Sequence, residues 1–299
     1  MRAQRTHDPA ALTLGELIAA QGRRHRGSLA PGQRFPTGMR PSRRRAQGID
    51  LDTIGPYEVG DDLRFMDWRA TARTGRAQMK RFVAESHVAQ ILVVDFRAHM
   101  AFATAEHTMA KTAALVAARL AWEAFDLHEP VGLTIVPEAG WTAPRRGRGQ
   151  VVHLLDQLVD SYAAIDGDAE DWNADALVTA VDQAAARLRH GDEISIVSDF
   201  GGPLEPLLAL ARQLAGTRVL HAVIVEDAIY HHPVSAGRFP LCVAHDDARA
   251  CAVVERHAAA RHGEMVEALR AKLRRTLRQV GIRIVEVTDA SLLTEGRRR

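Results

Sequence analysis

Three aspartates stand where an open α/β sheet would put them to use. Asp95 ends the run QILVVD, Asp199 follows SIVS, and Asp175 opens a helical stretch just before that second run. Loops at the carboxyl ends of parallel strands form the ligand crevice of such sheets. The three carboxylates are therefore candidates for one acidic cluster, and such a cluster takes Mg²⁺ or a similar hard cation. Two neighbours argue the other way. Arg97 and His99 lie just beyond Asp95, and neither offers a hard oxygen. Two readings stand side by side: a three-carboxylate cation site with one position open to a partner's acidic group, or a structural pair in which Arg97 fills the metal's space and neutralises Asp95 or Asp175. A fixed cation beside the carboxylates removes much of the electrostatic reason to recruit a metal, which favours the second. His99 would add a pH-sensitive contact there.

Two further groups carry chemistry. Arg145, Arg146 and Arg148 surround Gly147 and Gly149 just before a helix expected to begin near Gln150. Three guanidinium groups at a helix N-terminus are a candidate anion site, with a solvated turn as the plainer outcome. The segment from Tyr57 to Phe82 is dense in glycine, charge and aromatic rings. Gly60 followed by Asp61 suits a tight turn. Arg64 can pair with Asp61 or Asp67, and Arg73 can stack on Trp68. These residues make either a lock within the fold or a docking surface for a partner. A nucleic-acid surface is the third reading, and it needs several exposed rings among the cations.

Enzyme signatures are missing from the sequence. It holds no HExxH, no GxSxG and no Walker lysine motif, so metalloprotease, hydrolase-elbow and ATPase chemistry are not expected. No catalytic residue is assigned. Cys242 and Cys251 lack CxxC spacing, which argues against a disulfide framework or a zinc site and for two small hydrophobes.

The elements that must position these residues show in the alternation of short apolar runs with longer amphipathic ones from residue 90 onward. Strands are expected at 90–95, 131–136, 193–198, 219–225 and 282–287, with a short edge strand around Trp141 beside 131–136. Helices are expected at 106–125, 149–161, 174–189, 204–215 and 252–279, and the last carries the apolar stripe Val253, Val254, Met265, Leu269, Leu273 and Leu277. Continuous apolar strands mean burial on both faces of a parallel sheet. Upstream, Leu12, Leu14, Leu17 and Ile18 form the stripe of a short helix that must dock on something apolar. Residues 48–85 read as turns and short strands. The expected organisation is a basic arm with a short helix at 1–47, a distinct segment at 48–89, the sheet domain at 90–290 and a tail at 291–299.

With 299 residues, 46% hydrophobic and 25% charged, the chain has ample length for a real core, and disorder throughout is excluded. Net charge is only +2, yet residues 1–47 hold ten arginines against Asp8 and Glu16. That arm would meet an acidic surface or a nucleic acid, or be solvated. No stretch approaches about 18 consecutive apolar residues, and the N-terminal residues carry charges instead of a signal peptide's apolar run. A cytoplasmic protein without a membrane span is expected.

The 57–82 string YEVGDDLRFMDWRATARTGRAQMKRF resembles the bacterial domain-of-unknown-function 58 family, which carries a von Willebrand factor A-like domain. Tyr57, Gly60, Asp61, Arg64, Asp67, Trp68, Ala72 and Arg73 fall where that family's pattern puts them, with APRRGRG at 143–149, VSDF at 197–200 and the aspartate ending the first sheet strand as further matches. The resemblance covers about residues 48–230. It implies a doubly wound, mostly parallel α/β sheet flanked by helices and preceded by a family-specific segment. It also implies a non-enzymatic interaction module that partners a MoxR-type AAA+ ATPase and its client in protein assembly, maturation or metal insertion. Domains of this type with a working metal-dependent adhesion site read DxSxS, with a Thr from a second loop and an Asp from a third. Here the serine positions are Arg97 and His99, Asp175 stands at the Thr position, and Asp199 at the third-loop Asp. The site is therefore expected to be degenerate. The competing expectations are a metal-dependent phosphoester hydrolase using Asp95, Asp175 and Asp199, and nucleic-acid binding through the basic arm.

Overall fold

Residues 90–95 form a strand buried along its whole length, because a run of Ile, Leu and Val suits a pleat covered on both faces. It is β3 (Gln90–Asp95), and among the described residues the other strands are β1 (Asp50–Pro56), β2 (Gln78–Val83), β4 (Val131–Val136), β5 (Gly140–Arg145), β6 (Glu193–Ser198), β7 (Val219–Glu226), β8 (Gly237–Val243), β9 (Asp246–Val254) and β10 (Arg283–Thr288). The helices are α1 (Leu14–Ala19), α2 (Trp68–Thr74), α3 (Met109–Asp126), α4 (Arg148–Ala163), α5 (Ala176–Arg187), α6 (Glu205–Leu214) and α7 (Arg256–Gln279). In this computed structural model the described residues are 11–22, 50–57, 63–83, 88–104, 107–138, 140–165, 173, 175–230, 237–243, 246–254 and 256–288. The chain divides into two units, Met1–Phe35 with Ala89–Arg299 and Pro36–Val88.

The larger unit is a mixed α/β layer structure built on a six-stranded sheet in the order β10-β7-β6-β3-β4-β5. Every pair is parallel except β4 with β5, which run antiparallel at the edge. After β3 the chain goes to β4 on one side and later returns to β6 on the other, so the strand order reverses between β3 and β6. Alternate side chains of β3 feed two cores. Leu92 and Val94 pack with α1, α3 and α4, while Ile91 and Val93 pack with α5, α6 and α7. Each such side chain stabilises the fold by about 1.5–3 kcal/mol relative to solvent exposure.

α1 docks as its apolar stripe requires. Thr13 and Glu16 close a capping box, and Leu17 is buried against α3. The Trp122 indole donates to the Leu17 carbonyl at 3.0 Å, and the buried Lys111 ammonium donates to Ala11 O at 2.7 Å and pairs with Glu16 at 3.2 Å. Among the described residues no helix is long and apolar enough to cross a membrane.

The smaller unit pairs β1 antiparallel with β2 and inserts α2 between them. A helix at 68–74 corrects the reading of 48–85 as turns and strands alone. Seven residues are too few for periodicity to register, and the signal lay instead in its caps, Asp67 before and Gly75 after. A second correction falls on 252–279. Residues 246–254 form β9, paired antiparallel with β8, so Val253 and Val254 belong to a strand and α7 begins at Arg256. Pro240 inside β8 hid the hairpin, since proline argues against a strand interior. Cys242 and Cys251 lie on these two strands, and their side chains are outside the described residues.

Candidate functional site

The reversal of strand order between β3 and β6 sets Asp95 beside Ser198 and Asp199, at the crevice position of an open sheet. Asp95 is fully buried, and its four lone-pair positions are all taken. Oδ1 accepts from the Arg97 amide at 3.1 Å and from Arg97 Nε at 2.9 Å. Oδ2 accepts from Arg97 Nη2 at 2.6 Å and from the Ser198 hydroxyl at 2.6 Å. The fork-on-fork contact is a charge-assisted pair, and Arg97 is itself only 4% exposed. Burial alone would lower the guanidinium's pKa, but the hydrogen bond and charge of Asp95, with the charge of Asp199, raise it overall.

Asp199 stands next to this pair. Its Oδ1 meets His99 Nε2 at 2.9 Å and accepts from the Gly201 amide at 2.9 Å. Burial pushes its carboxyl up, yet the His99 contact, the Gly201 amide and the nearby Arg97 outweigh that and hold it below the usual aspartate value. The loop is tightly drawn. Phe200 takes φ 58, a left-handed conformation that a bulky residue rarely adopts, and its amide donates to Ser198 Oγ at 2.9 Å. Among the described residues Asp95, His99 and Asp199 form a group whose ligand atoms lie within 4.8 Å of one another. Mg²⁺ nevertheless does not fit, because the oxygens it would need on Asp95 are already engaged by Arg97 and Ser198.

The remaining candidates are placed differently. Asp175 is exposed at the start of α5, makes no side-chain cap bond and is not part of that group. Arg145 and Arg146 are exposed, while Arg148 begins α4 and lies over the Trp122 ring at 5.9 Å. The three guanidinium groups thus have different surroundings, and α4 starts two residues before Gln150. In the smaller unit Asp67 caps α2, accepting from the Ala70 amide at 2.9 Å. Arg73 does not stack on Trp68, since five residues turn a helix by about 140° beyond one full circle. Tyr57 and Arg64 are exposed, whereas Gly60 and Asp61 lie outside the described residues. So does the basic arm apart from residues 11–22.

Two site residues escaped the sequence reading. Ser198 holds Asp95, and only the pairing of β6 with β3 could reveal that. Asp227, 3% exposed just after β7, accepts from the Thr104 amide at 2.7 Å and ties the loop after β3 to the loop after β7. The rule that selects Asp95 and Asp199 selects Asp227 as well. A cleft of about 270 Å³ opens beside Arg97, lined by Phe96, Ile135, Pro137, Glu138 and Asn173 among others.

The model of the family described as "Protein of unknown function DUF58" matches residues 54–262. The chain is 30% identical over 163 residues to the uncharacterized proteins Mb1516 of Mycobacterium bovis and Rv1480 of Mycobacterium tuberculosis, covering 52% of this chain and 49% of each relative. It therefore spans about half the length of the curated relatives it matches. Among solved structures it is similar to the conserved hypothetical protein BatB of Bacteroides thetaiotaomicron, at 14% identity and TM-score 0.37 over 70% of this chain and 96% of that one. A second is an aerotolerance-related membrane protein of Bacteroides fragilis, at 12% identity and TM-score 0.38 over 70% and 95%.

Proposed function

We propose that this chain, which belongs to the DUF58 family, is a non-enzymatic protein-interaction module with a von Willebrand A-like, doubly wound sheet and a degenerate metal-dependent adhesion site. Its proposed partners are a MoxR-type AAA+ ATPase, which the family resemblance implies, and a client protein undergoing assembly, maturation or metal insertion. Its proposed setting is the cytoplasm, where that ATPase would find its nucleotide. The observation that carries this reading is the closure of Asp95 by Arg97 and Ser198. A carboxylate with every lone pair engaged is a structural tie, neither a metal ligand nor a general base. What remains for a ligand at this edge is a shaped surface, with the cleft beside Arg97 able to receive a side chain of a partner.

The test is calorimetric titration of the chain with a purified MoxR-type ATPase. Binding is expected, and Arg64→Ala and Asp67→Asn should weaken it while the thermal transition stays in place, asparagine being as good a helix cap as aspartate. Unchanged affinity in both folded variants counts against the reading. Divalent-dependent turnover across a panel of phosphoesters would replace it with a hydrolase.

A further inference from the structure

Among the described residues, α2 presents an exposed aromatic ring and cations that no other group engages. Asp67 caps the helix, Gly75 ends it at φ 68, and Ala70 is pressed inward at 6% exposure. At about 100° per residue, Trp68 and Ala72 share one line of the helix and Arg69 and Arg73 the next, roughly 100° round the axis. Trp68 is 71% exposed. Arg69, Ala72, Arg73 and, just past the cap, Arg76 are exposed too. Among the described residues, the side chains of Trp68, Arg69, Arg73 and Arg76 make no ion pair, hydrogen bond or ring contact. Like charges four residues apart weaken a helix, and an indole in solvent leaves a large apolar area wet. Both costs are relieved when an anionic chain with an apolar anchor lies across this arc.

We infer that α2 and Arg76 form a docking face for an acidic linear segment of a partner protein. Its carboxylates pair with Arg69, Arg73 and Arg76, and an aliphatic or aromatic anchor covers Trp68. This rests on the interaction reading above and names the chemistry of its partner. Tryptophan and arginine are the residue types that carry most binding energy at protein interfaces, and a guanidinium fork meets a carboxylate with two bonds at once. A single-stranded nucleic acid asks for successive rings on which bases stack, and this arc offers one indole.

The probes are a synthetic peptide of glutamates and aspartates around a central leucine pair, the same peptide with glutamine and asparagine replacing the acids, and oligothymidylate. Each is titrated against the full chain by calorimetry. The acidic peptide is expected to bind, more weakly as salt rises, and the amide peptide is not. Trp68→Ala, and separately Arg69→Gln with Arg73→Gln, should each lower the affinity about tenfold or more. Melting temperatures should hold, because the side chains are exposed. The inference is overturned if the acidic peptide fails to bind, if the amide peptide binds as well, if neither variant changes the affinity, or if oligothymidylate binds more tightly. The ATPase titration separates this inference from the broader reading. An ATPase that binds wild type and folded Trp68→Ala alike sinks the α2 face and leaves the interaction module standing. Peptide capture at α2 with no ATPase binding does the reverse.

Discussion

Arg97 is 4% exposed and gives its guanidinium to Asp95, whereas Arg69, Arg73 and Arg76 stand in solvent on the unit that carries Trp68. One region turns its polar groups on itself, and the other holds three arginines outward. At the sheet edge each carboxylate is answered from within: Asp95 by Arg97 and Ser198, Asp199 by His99 and Gly201. Such a constellation contributes rigidity and a fixed shape. On α2 the short helix is held by its two caps, the buried Ala70 and the Thr71 hydroxyl, which accepts from the Gln78 amide at 2.9 Å, while its outer arc is exposed. A cluster of chemically capable residues therefore has to be read together with the partners each of them already holds.

The largest effect should come from breaking the closed region. Arg97→Leu strands a buried carboxylate, and loss of one partner of a buried pair costs about 3–5 kcal/mol, to be read by urea unfolding. Arg97→Ser sharpens the comparison, because it frees two lone-pair positions on Asp95 and returns a hydroxyl to the loop. Its melting temperature should climb saturably with Mg²⁺ or Mn²⁺ by mass action, while the wild type stays flat. A saturable rise in the wild type that disappears in Asp95→Ala would erase the distinction between the two regions. Next comes Gly201→Ala. An added Cβ would sit 2.8 Å from Asp199 Oδ2, forcing a held carboxylate to move at a cost of about 1–3 kcal/mol.

Asp67→Ala removes the cap of α2 and should cost about 1 kcal/mol, lowering the denaturation midpoint and nothing at the sheet edge. The pH test is subtler. Asp199 has a folded pKa below its ordinary 3.8, so its stabilisation is complete above that value and is lost as pH falls through the lower folded value. Denaturation midpoints collected across the acid range should therefore fall less steeply in Asp199→Asn than in wild type; parallel curves would show that the His99 and Gly201 contacts contribute no such linkage. Smallest of all is Trp68→Ala, which should leave stability within about 0.5 kcal/mol while changing binding. A large loss of stability there would mean that the indole is structural and that the open region is not open.

Much of the larger unit was legible in the sequence. β3, β4 and β6 match their apolar runs residue for residue, because two-sided burial keeps charged residues out of the strand interiors and admits only a small hydroxyl such as Thr134 or Ser195. β8, β9 and α2 were not legible, since a proline sits in one strand and α2 is too short to show a period. In the site, the strand-end rule found Asp95 and Asp199, and the spacing after Asp95 found Arg97 and His99. Applied after β7 the same rule reaches Asp227, which the sequence reading left out, and that reading grouped Asp175 with carboxylates from which the structure leaves it apart.

By itself the sequence determined the layering, the polarity of the sheet and the residue types at its carboxyl edge, all consequences of local burial patterns and chain order. Only the tertiary structure decided what those residues do to one another. Whether Arg97 folds onto Asp95 or turns away, and whether Ser198 arrives beside it, depends on the register between strands more than a hundred residues apart in the chain. Hydrogen-bond chemistry acts over about 3 Å, a distance that sequence spacing does not encode.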